Sequence, residues 1–230
     1  MSSAVYYFCW AMLRVYLWTR HRYRILHKER IPRPSRAMLI ASNHGSYLDP
    51  AIIGCAFTYP IWYLARQTLF TNSRFFGWFI SIVNAIPISR ERLDLQTLRR
   101  TRSICHAGHG VVIFPEGTRT KDGNLQRGLA GVGLFADKIG VDILPVYVDG
   151  SFDSLPRHSG GLLARPTQIT ITIGPLMPIK QWEHIAVGRT RYEAIADDIM
   201  KAITALKTER ESQKALTKAA ETPVGAGGPA

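Results

Sequence analysis

The feature that most constrains the fold of this chain is the alternation of short apolar segments with segments of helical pattern. Apolar runs of strand length occupy residues 37–44, 85–89, 110–117, 141–150 and 167–175. Helical patterns occupy residues 94–108, 128–140 and 191–210, and Asp49-Pro50 has the composition of a helix start with aspartate as the N-cap. Strands that alternate with helices are typical of parallel pairing through crossover connections. The sequence therefore predicts an α/β fold with a largely parallel sheet flanked by helices.

The length and composition favour one domain. A chain of 230 residues with 46% hydrophobic residues can bury a substantial core. We predict a single domain over residues 37–210, preceded by a helical and basic segment over 1–36. A disordered tail is expected over 211–230, because the chain ends in the Gly/Pro/Ala-rich sequence AAETPVGAGGPA. The three cysteines lack C-x-x-C spacing, which favours buried thiols in a reducing compartment over disulfides or a zinc site.

Positive charge is concentrated at the N-terminus. Residues 1–36 contain eight Arg or Lys residues against one Glu, which is +7 of the formal net charge of +12. Such an excess indicates an anionic partner: nucleic acid, a membrane surface or an acidic small molecule. The charge lies beside Trp and Tyr residues and not on a recognition helix, which disfavours nucleic-acid binding.

Residues 4–18 are apolar except for Arg14 and rich in Tyr, Phe and Trp. Fifteen residues fall short of the roughly 20 that cross a bilayer as a helix, and a basic n-region with a cleavage site is missing. Aromatic residues beside a basic cluster are typical of a helix at the membrane interface, here on the cytoplasmic face. The alternative is a helix packed on the protein's own core. Residues 74–88 are similarly apolar and form either a lipid-facing patch or a buried helix and strand.

The polar turn NHGSYLDP follows the first apolar run and holds His44 and Asp49. In a regular helix two positions five apart diverge by about 140°. The pair can therefore meet only if residues 44 to 48 form a turn. If Asp49 accepts a hydrogen bond from one ring nitrogen, the other becomes an oriented general base. The alternative is a solvated loop that ends in a helix cap.

Two later strand ends carry arginines. The sequence IFPEGTRTKDG presents Glu116, Thr118 and Arg119 on a turn that contains Gly117, and IPISR places Arg90 at the end of another apolar run. Arginine can bind a phosphate through two parallel hydrogen bonds. Read alone, each segment has an alternative, which is a polar turn or a surface arginine whose charge is solvated. Together with the His44 turn and the N-terminus, they indicate base-assisted chemistry on a phosphate-bearing lipid.

The segments SNHGSYLDP, IPISR, FPEGTR and ILPVYVDGS, in this order, resemble the motifs of the glycerolipid acyltransferase family. The resemblance runs from about residue 37 to residue 175. It implies an enzyme that moves a fatty acyl group from acyl-CoA or acyl-carrier protein to a lysophospholipid. The simplest acceptor is 1-acyl-glycerol-3-phosphate, which would give phosphatidic acid, and neither a metal nor a prosthetic group is implied.

The resemblance also implies roles for single residues. His44 would deprotonate the acceptor hydroxyl and Asp49 would support His44, as in a Ser-His-Asp triad in which the substrate replaces the serine. The headgroup would be bound by the residues of the second and third motifs: Arg90, Glu116, Gly117, Thr118 and Arg119.

Two positions depart from the family pattern. Ser89 stands where an acidic residue is common, and Leu129 stands where a lysine is common. Both bear on the headgroup, so a different lysolipid or a lyso-aminolipid is an alternative acceptor. A non-catalytic lipid-binding protein of the same fold is a further alternative, although the intact His44/Asp49 pair argues against it.

Overall fold

In the part of the chain that the structure describes, seven strands form one sheet, and it is largely parallel as predicted. The computed structural model describes residues 3–71, 74–88, 95–156 and 165–221. The strands are β1 (Arg24–Leu26), β2 (Met38–Ser42), β3 (Trp62–Arg66), β4 (Ala85–Ile88), β5 (Gly110–Ile113), β6 (Asp142–Asp149) and β7 (Thr170–Ile173). Their order is β1-β7-β6-β2-β5-β3-β4, and β6 with β7 is the antiparallel pair. The predicted α/β fold class is confirmed.

Helices cover both faces of this sheet. The α-helices of the described residues are α1 (Ser3–His21), α2 (Asp49–Ala56), α3 (Thr68–Thr71), α4 (Arg74–Ile82), α5 (Leu95–His106), α6 (Ala130–Ile139), α7 (Ser151–Ser154) and α8 (Arg189–Glu221). Side chains of α1 and α2 pack on one face, and those of α5, α6 and α8 pack on the other. The central strand β2 is buried at all five positions, because Met38 and Ile40 point to the first face while Leu39 and Ala41 point to the second. This explains why its sequence is a continuous apolar run.

The N-terminal helix α1 both packs and exposes apolar surface. Leu17 is fully buried, and the indole N–H of Trp10 donates to the carbonyl oxygens of Gly54 (3.2 Å) and Phe57 (3.0 Å) at the end of α2. The outward face is apolar as well, and its exposed residues are Val5, Tyr7, Phe8, Met12, Val15, Tyr16 and Trp18. One face of α1 therefore packs on the protein's own core, and the exposed apolar face leaves the membrane-interface interpretation as a prediction. Among the described residues, we find no helix with the length and apolar content that crossing a bilayer requires.

Strand β1 was not predicted, and it makes part of the basic segment an edge strand of the sheet. It pairs in parallel with β7 at the edge of the sheet, from Arg24↔Thr170 to Leu26↔Thr172. The sheet thus begins inside the predicted segment 1–36. Three residues that start with an arginine give too short a pattern to be recognised as a strand.

The disordered tail was predicted too long. Helix α8 continues to Glu221, so residues 211–221 are helical, and residues 222–230 lie outside the described residues. The sequence ESQKALTKAAE consists mostly of strong helix formers, which propagate the preceding helix, and the first proline stands only at position 223.

Residues 74–88 form helix α4 and strand β4, which is the helix-and-strand alternative for this segment. Ala85 and Ile86 are buried in the sheet. Trp78 on α4 is exposed, so an aromatic side chain still faces outward from this region.

Candidate active site

The site lies at the carboxyl ends of the central strands, where open α/β sheets place their ligands. The turn after β2, the loop after β5 and the end of β6 surround a cleft of about 250 Å³. The residues that line it include His44, Glu116, Thr120, Tyr147 and Asp149. All strands that contribute are buried, so the cleft stands on a rigid base.

The structure brings His44 and Asp49 together. The Nδ1 atom of His44 lies 2.9 Å from Oδ2 of Asp49, across the turn at residues 44–48. The same Oδ2 accepts the backbone N–H groups of Gly45 and Ser46, each at 2.7 Å. A carboxylate oxygen that already accepts two N–H groups can only be an acceptor toward the ring as well, so Nδ1 carries the proton and Nε2 carries the lone pair.

Asp49 does not act as the predicted N-cap. It is the first residue of α2, and Leu48 precedes it with helical dihedral angles and without a capping side chain. The carboxylate turns back to the Gly45 and Ser46 amides, away from the amide groups of the helix that it begins. The aspartate is fully buried, so these donors replace the water that Oδ2 would otherwise bind.

The imidazole ring of His44 has a fixed plane. It stacks on Phe114, the residue after β5, with ring centroids 3.9 Å apart and an interplanar angle of 15°. Stacking on one side and the hydrogen bond to Asp49 at one edge leave the ring little freedom to rotate. The side chain of His44 is still 18% exposed, which leaves it within reach of a small molecule.

The peptide groups of His44 are held by the loop after β5. The N–H of His44 donates to Oε1 of Glu116 (3.0 Å), and its carbonyl oxygen accepts the N–H of Thr120 (2.8 Å). The other carboxylate oxygen of Glu116 accepts the N–H of Gln126 (3.1 Å). Glu116 is thus turned into the protein and binds two backbone amides, whereas the sequence interpretation assigned it to the headgroup.

Burial raises the pKa of the Glu116 carboxyl to about 7. The N–H groups of His44 and Gln126 favour the charged form and lower this pKa, while the nearby negative charge of Asp49 raises it. Only 4% of the residue surface is exposed. Glu116 therefore changes charge close to neutral pH, next to the backbone of His44.

Gly117 and Thr118 form the turn that follows Glu116. Gly117 has φ of +65°, a conformation that favours glycine, and its N–H donates to the carbonyl oxygen of Phe114 (3.0 Å). A Cβ atom at this position would lie 2.5 Å from Cδ1 of Leu129. Leu129, whose side chain is exposed, therefore covers the turn beside half-buried Thr118.

Arg119 lies next to the turn that holds His44. Its guanidinium carbon is 3.3 Å above the ring centroid of Tyr47. The first and third motifs therefore meet through side chains as well as through backbone hydrogen bonds. Arg90, the remaining predicted headgroup residue, lies outside the described residues, as does Ser89.

Three residues of this region were not assigned a role from the sequence. Asn43 bridges the ends of β2 and β6, because its side chain donates to the carbonyl oxygen of Val148 (2.9 Å) and accepts the N–H of Val148 (2.8 Å). Tyr47 and Phe114 supply the rings described above. All three lie inside the motif segments quoted above. Their position in these motifs is the sequence feature from which a role at the site could have been inferred.

The predicted absence of a metal and a prosthetic group remains a prediction. Within the described ranges, no group of three or more His, Cys, Asp or Glu side chains is arranged to hold a metal ion.

Comparisons with known proteins identify the family of this chain and support its fold. A family model described as Acyltransferase matches residues 22–149. The 1-acyl-sn-glycerol-3-phosphate acyltransferase of Bacillus subtilis (strain 168) is 33% identical over 207 residues, which is 89% of this chain and 98% of that protein. The enzyme of the same name from Chlamydomonas reinhardtii is 28% identical over 69% of this chain and 47% of that protein.

The chain spans slightly less than half the length of that algal protein and of two chloroplast relatives. Among solved structures, the 1-acyl-sn-glycerophosphate (LPA) acyltransferase PlsC of Thermotoga maritima superposes with a TM-score of 0.70. That match has 21% sequence identity and covers 90% of this chain and 80% of the other, which supports the fold.

Proposed function

The chain belongs to the acyltransferase family, and from this membership we propose that it moves a fatty acyl group from a thioester to the hydroxyl of a lysophospholipid. The proposed acceptor is 1-acyl-glycerol-3-phosphate, the substrate in the names of its bacterial and algal relatives. The product would then be phosphatidic acid. Acyl-CoA or acyl-carrier protein is the proposed donor, with no cofactor.

His44 is the general base of the proposed reaction. Its Nε2 takes the proton of the acceptor hydroxyl while the hydroxyl oxygen forms a bond to the carbonyl carbon of the thioester. The tetrahedral intermediate then collapses, the carbon–sulfur bond breaks, and the thiolate receives the proton from His44. Asp49 orients the ring and stabilises the imidazolium form between the two transfers.

The observation that carries this proposal is the 2.9 Å contact between Nδ1 of His44 and Oδ2 of Asp49 at the edge of the cleft. A buried carboxylate that bound only backbone amides would have only a structural role in the turn. Asp49 also binds the ring of His44. This ring stacks on Phe114 and is partly exposed, so a hydroxyl group can reach it.

The test is the transfer of radiolabelled acyl groups from acyl-CoA and from acyl-carrier protein to a panel of lysolipids. We expect His44→Ala to lose about 10²- to 10⁴-fold in rate, the usual contribution of general base catalysis. His184→Ala, at an exposed position, is the matched control and should behave as wild type. Transfer by His44→Ala within tenfold of wild type would contradict the role of the base.

The panel also separates the alternatives. Wild-type protein that binds lysolipids but transfers no acyl group would be a non-catalytic lipid-binding protein. Transfer only to a lysolipid other than 1-acyl-glycerol-3-phosphate would keep the mechanism and change the headgroup. One observation favours including such acceptors: exposed Leu129 covers Gly117, so an apolar side chain borders the proposed phosphate site.

Arg119 is the described residue that we assign to the phosphate, together with Arg90 from the second motif. Arg119 belongs to the loop that binds both peptide groups of His44, so a phosphate on its guanidinium would place the acceptor near the base. The geometry of Glu116 supports a role in holding this loop, and Gly117 and Thr118 would complete its turn.

We also propose that the protein binds the cytoplasmic face of a membrane through helix α1. Phe8 and Trp18 are 67% and 72% exposed on α1, and the arginines that follow this helix could meet anionic headgroups. Removal of residues 1–35 is a poor test, because it would delete strand β1 and buried Leu17. Sedimentation with vesicles of phosphatidylcholine and phosphatidylglycerol should instead be weakened by Phe8→Gln with Trp18→Gln.

The matched control for that experiment is Leu216→Gln on α8, which removes an equally exposed apolar side chain (72%) far along the chain. Equal sedimentation of the double variant, the control and the wild type would contradict membrane binding through α1.

A further inference from the structure

Tyr47 is an exposed aromatic residue of the turn at residues 44–49, and its ring contacts Arg119 of the loop after β5. It is 60% exposed, and its ring lies under the guanidinium of Arg119 at 3.3 Å from the centroid. Within the described residues its hydroxyl takes part in no hydrogen bond. The contact with Arg119 is therefore the specific interaction that this side chain makes.

From this contact we propose that Tyr47 is a positioning residue for the reaction, holding Arg119 in the orientation that binds the acceptor's phosphate. The proposal rests on the proposed function, in that it assumes a phosphate-bearing acceptor. Tyr47 itself does not touch the reacting atoms; it acts through Arg119.

The geometry of the two groups explains the effect. A guanidinium is planar, and its N–H donors lie in its plane and point outward from its edges. A ring stacked on its face occupies the face and leaves the edges oriented in space. An arginine side chain that is already held in one conformation loses less entropy when it binds a phosphate. The stack therefore raises the affinity for the phosphate without a direct contact.

The position of Tyr47 links this effect to the base. Tyr47 lies between His44 and Asp49 in the sequence, and the backbone of the loop that carries Arg119 is hydrogen-bonded to His44 through Thr120. The turn at residues 44–49 thus holds the imidazole of His44 through Asp49 and the guanidinium of Arg119 through Tyr47. This turn therefore sets the distance between the base and a phosphate bound by Arg119.

The test compares Tyr47→Leu with Tyr47→Phe in steady-state kinetics on 1-acyl-glycerol-3-phosphate. Tyr47→Phe keeps the ring and should keep wild-type constants. Tyr47→Leu loses the cation–π contact and should raise the KM for the acceptor about 3- to 30-fold, with kcat within about twofold. Both variants should fold, because the side chain is mostly exposed.

Three results would overturn the proposal: equal constants for both variants, an equal loss in both, or a fall in kcat at unchanged KM. A double-mutant cycle adds a result that a merely structural role would not produce. In an Arg119→Ala background, Tyr47→Leu should have no further effect on acceptor affinity, and an additive loss would contradict the coupling.

A binding measurement separates this proposal from the function on which it rests. Calorimetric titration with water-soluble 1-hexanoyl-glycerol-3-phosphate needs no donor and no turnover. If the wild type transfers no acyl group but Tyr47→Leu still weakens this binding relative to Tyr47→Phe, the proposed reaction is wrong and the positioning role stands. If the wild type transfers acyl groups and the two variants bind this lipid equally, the proposed reaction stands and the positioning role of Tyr47 is wrong.

Discussion

The turn that carries His44 and the outward face of helix α1 are built by opposite means. In the turn, one carboxylate oxygen of Asp49 accepts three hydrogen bonds, and each peptide group of His44 is bound by the loop after β5. The outward face of α1 consists of exposed apolar side chains whose contact with a partner would be non-directional. Single substitutions should therefore have large and specific effects in the turn, and small, graded effects on α1.

The largest effect is expected from Asp49→Asn. The variant keeps the size of the side chain but removes the charge that fixes Nδ1–H and stabilises the imidazolium. We expect kcat to fall about 10³- to 10⁴-fold, as in triads that lose this carboxylate. The measurement is a steady-state transfer assay beside Asp197→Asn, a half-buried aspartate on α8. A loss below tenfold, in protein with an unchanged thermal transition, would show that Asp49 only shapes the turn.

The second prediction concerns the pH dependence of stability at Glu116. Its pKa is about 7 in the folded protein against a usual value of 4.5. Between these values the folded protein holds a proton that the unfolded chain has released. The stabilisation is therefore complete below about pH 4.5 and is lost as pH rises through about 7, by up to about 3 kcal/mol.

Glu116→Gln isolates this contribution. The free energy of unfolding of the wild type minus that of the variant should decrease between pH 5 and pH 8 when measured by urea denaturation. The variant should also be less stable by about 1–3 kcal/mol at pH 5, because its amide NH₂ faces a backbone N–H donor. A difference that stays constant with pH would show that Glu116 does not titrate in this range.

Trp10 joins helix α1 to the end of α2, the helix that follows the His44 turn, and a smaller effect is expected there. Trp10→Phe removes the indole N–H that the carbonyl groups of Gly54 and Phe57 accept. We expect a loss of about 1 kcal/mol in the free energy of unfolding, the usual net value of such a hydrogen bond. Trp18→Phe, at an exposed position of the same helix, is the control and should change stability by less than about 0.5 kcal/mol.

The same contrast explains what could be predicted from the sequence. Strands β2, β5 and β6 are buried runs whose pattern is local, and the polar turns after them mark the carboxyl edge of the sheet. The contact between His44 and Asp49 could be predicted only on the condition that residues 44 to 48 form a turn, since both residues lie within six positions. Helix α8 was predicted from its apolar spacing, but its end was not. Residues with high helix propensity continue the helix beyond the last apolar position of that pattern.

Contacts between distant residues could not be predicted in this way. The pairing of β1 with β7 joins residues nearly 150 positions apart, and nothing local in the sequence specifies it. The inward orientation of Glu116 is also a tertiary result, because Gln126 and His44 must both present an N–H to it. The local sequence around a glutamate in a Gly-containing turn does not show whether its side chain faces a ligand or the backbone.

The smallest effect on folding is expected on the outward face of α1. Phe8→Gln should change the free energy of unfolding by less than about 0.5 kcal/mol, because the side chain is 67% exposed. Leu17→Ala, on the buried face of the same helix, should cost about 2–5 kcal/mol. Urea denaturation in the absence of lipid measures both. If Phe8→Gln destabilised the protein as much as Leu17→Ala, its ring would be needed by the fold itself. An effect of Phe8→Gln that appears only with vesicles would instead assign the ring to the membrane, and would separate the two faces of one helix by function.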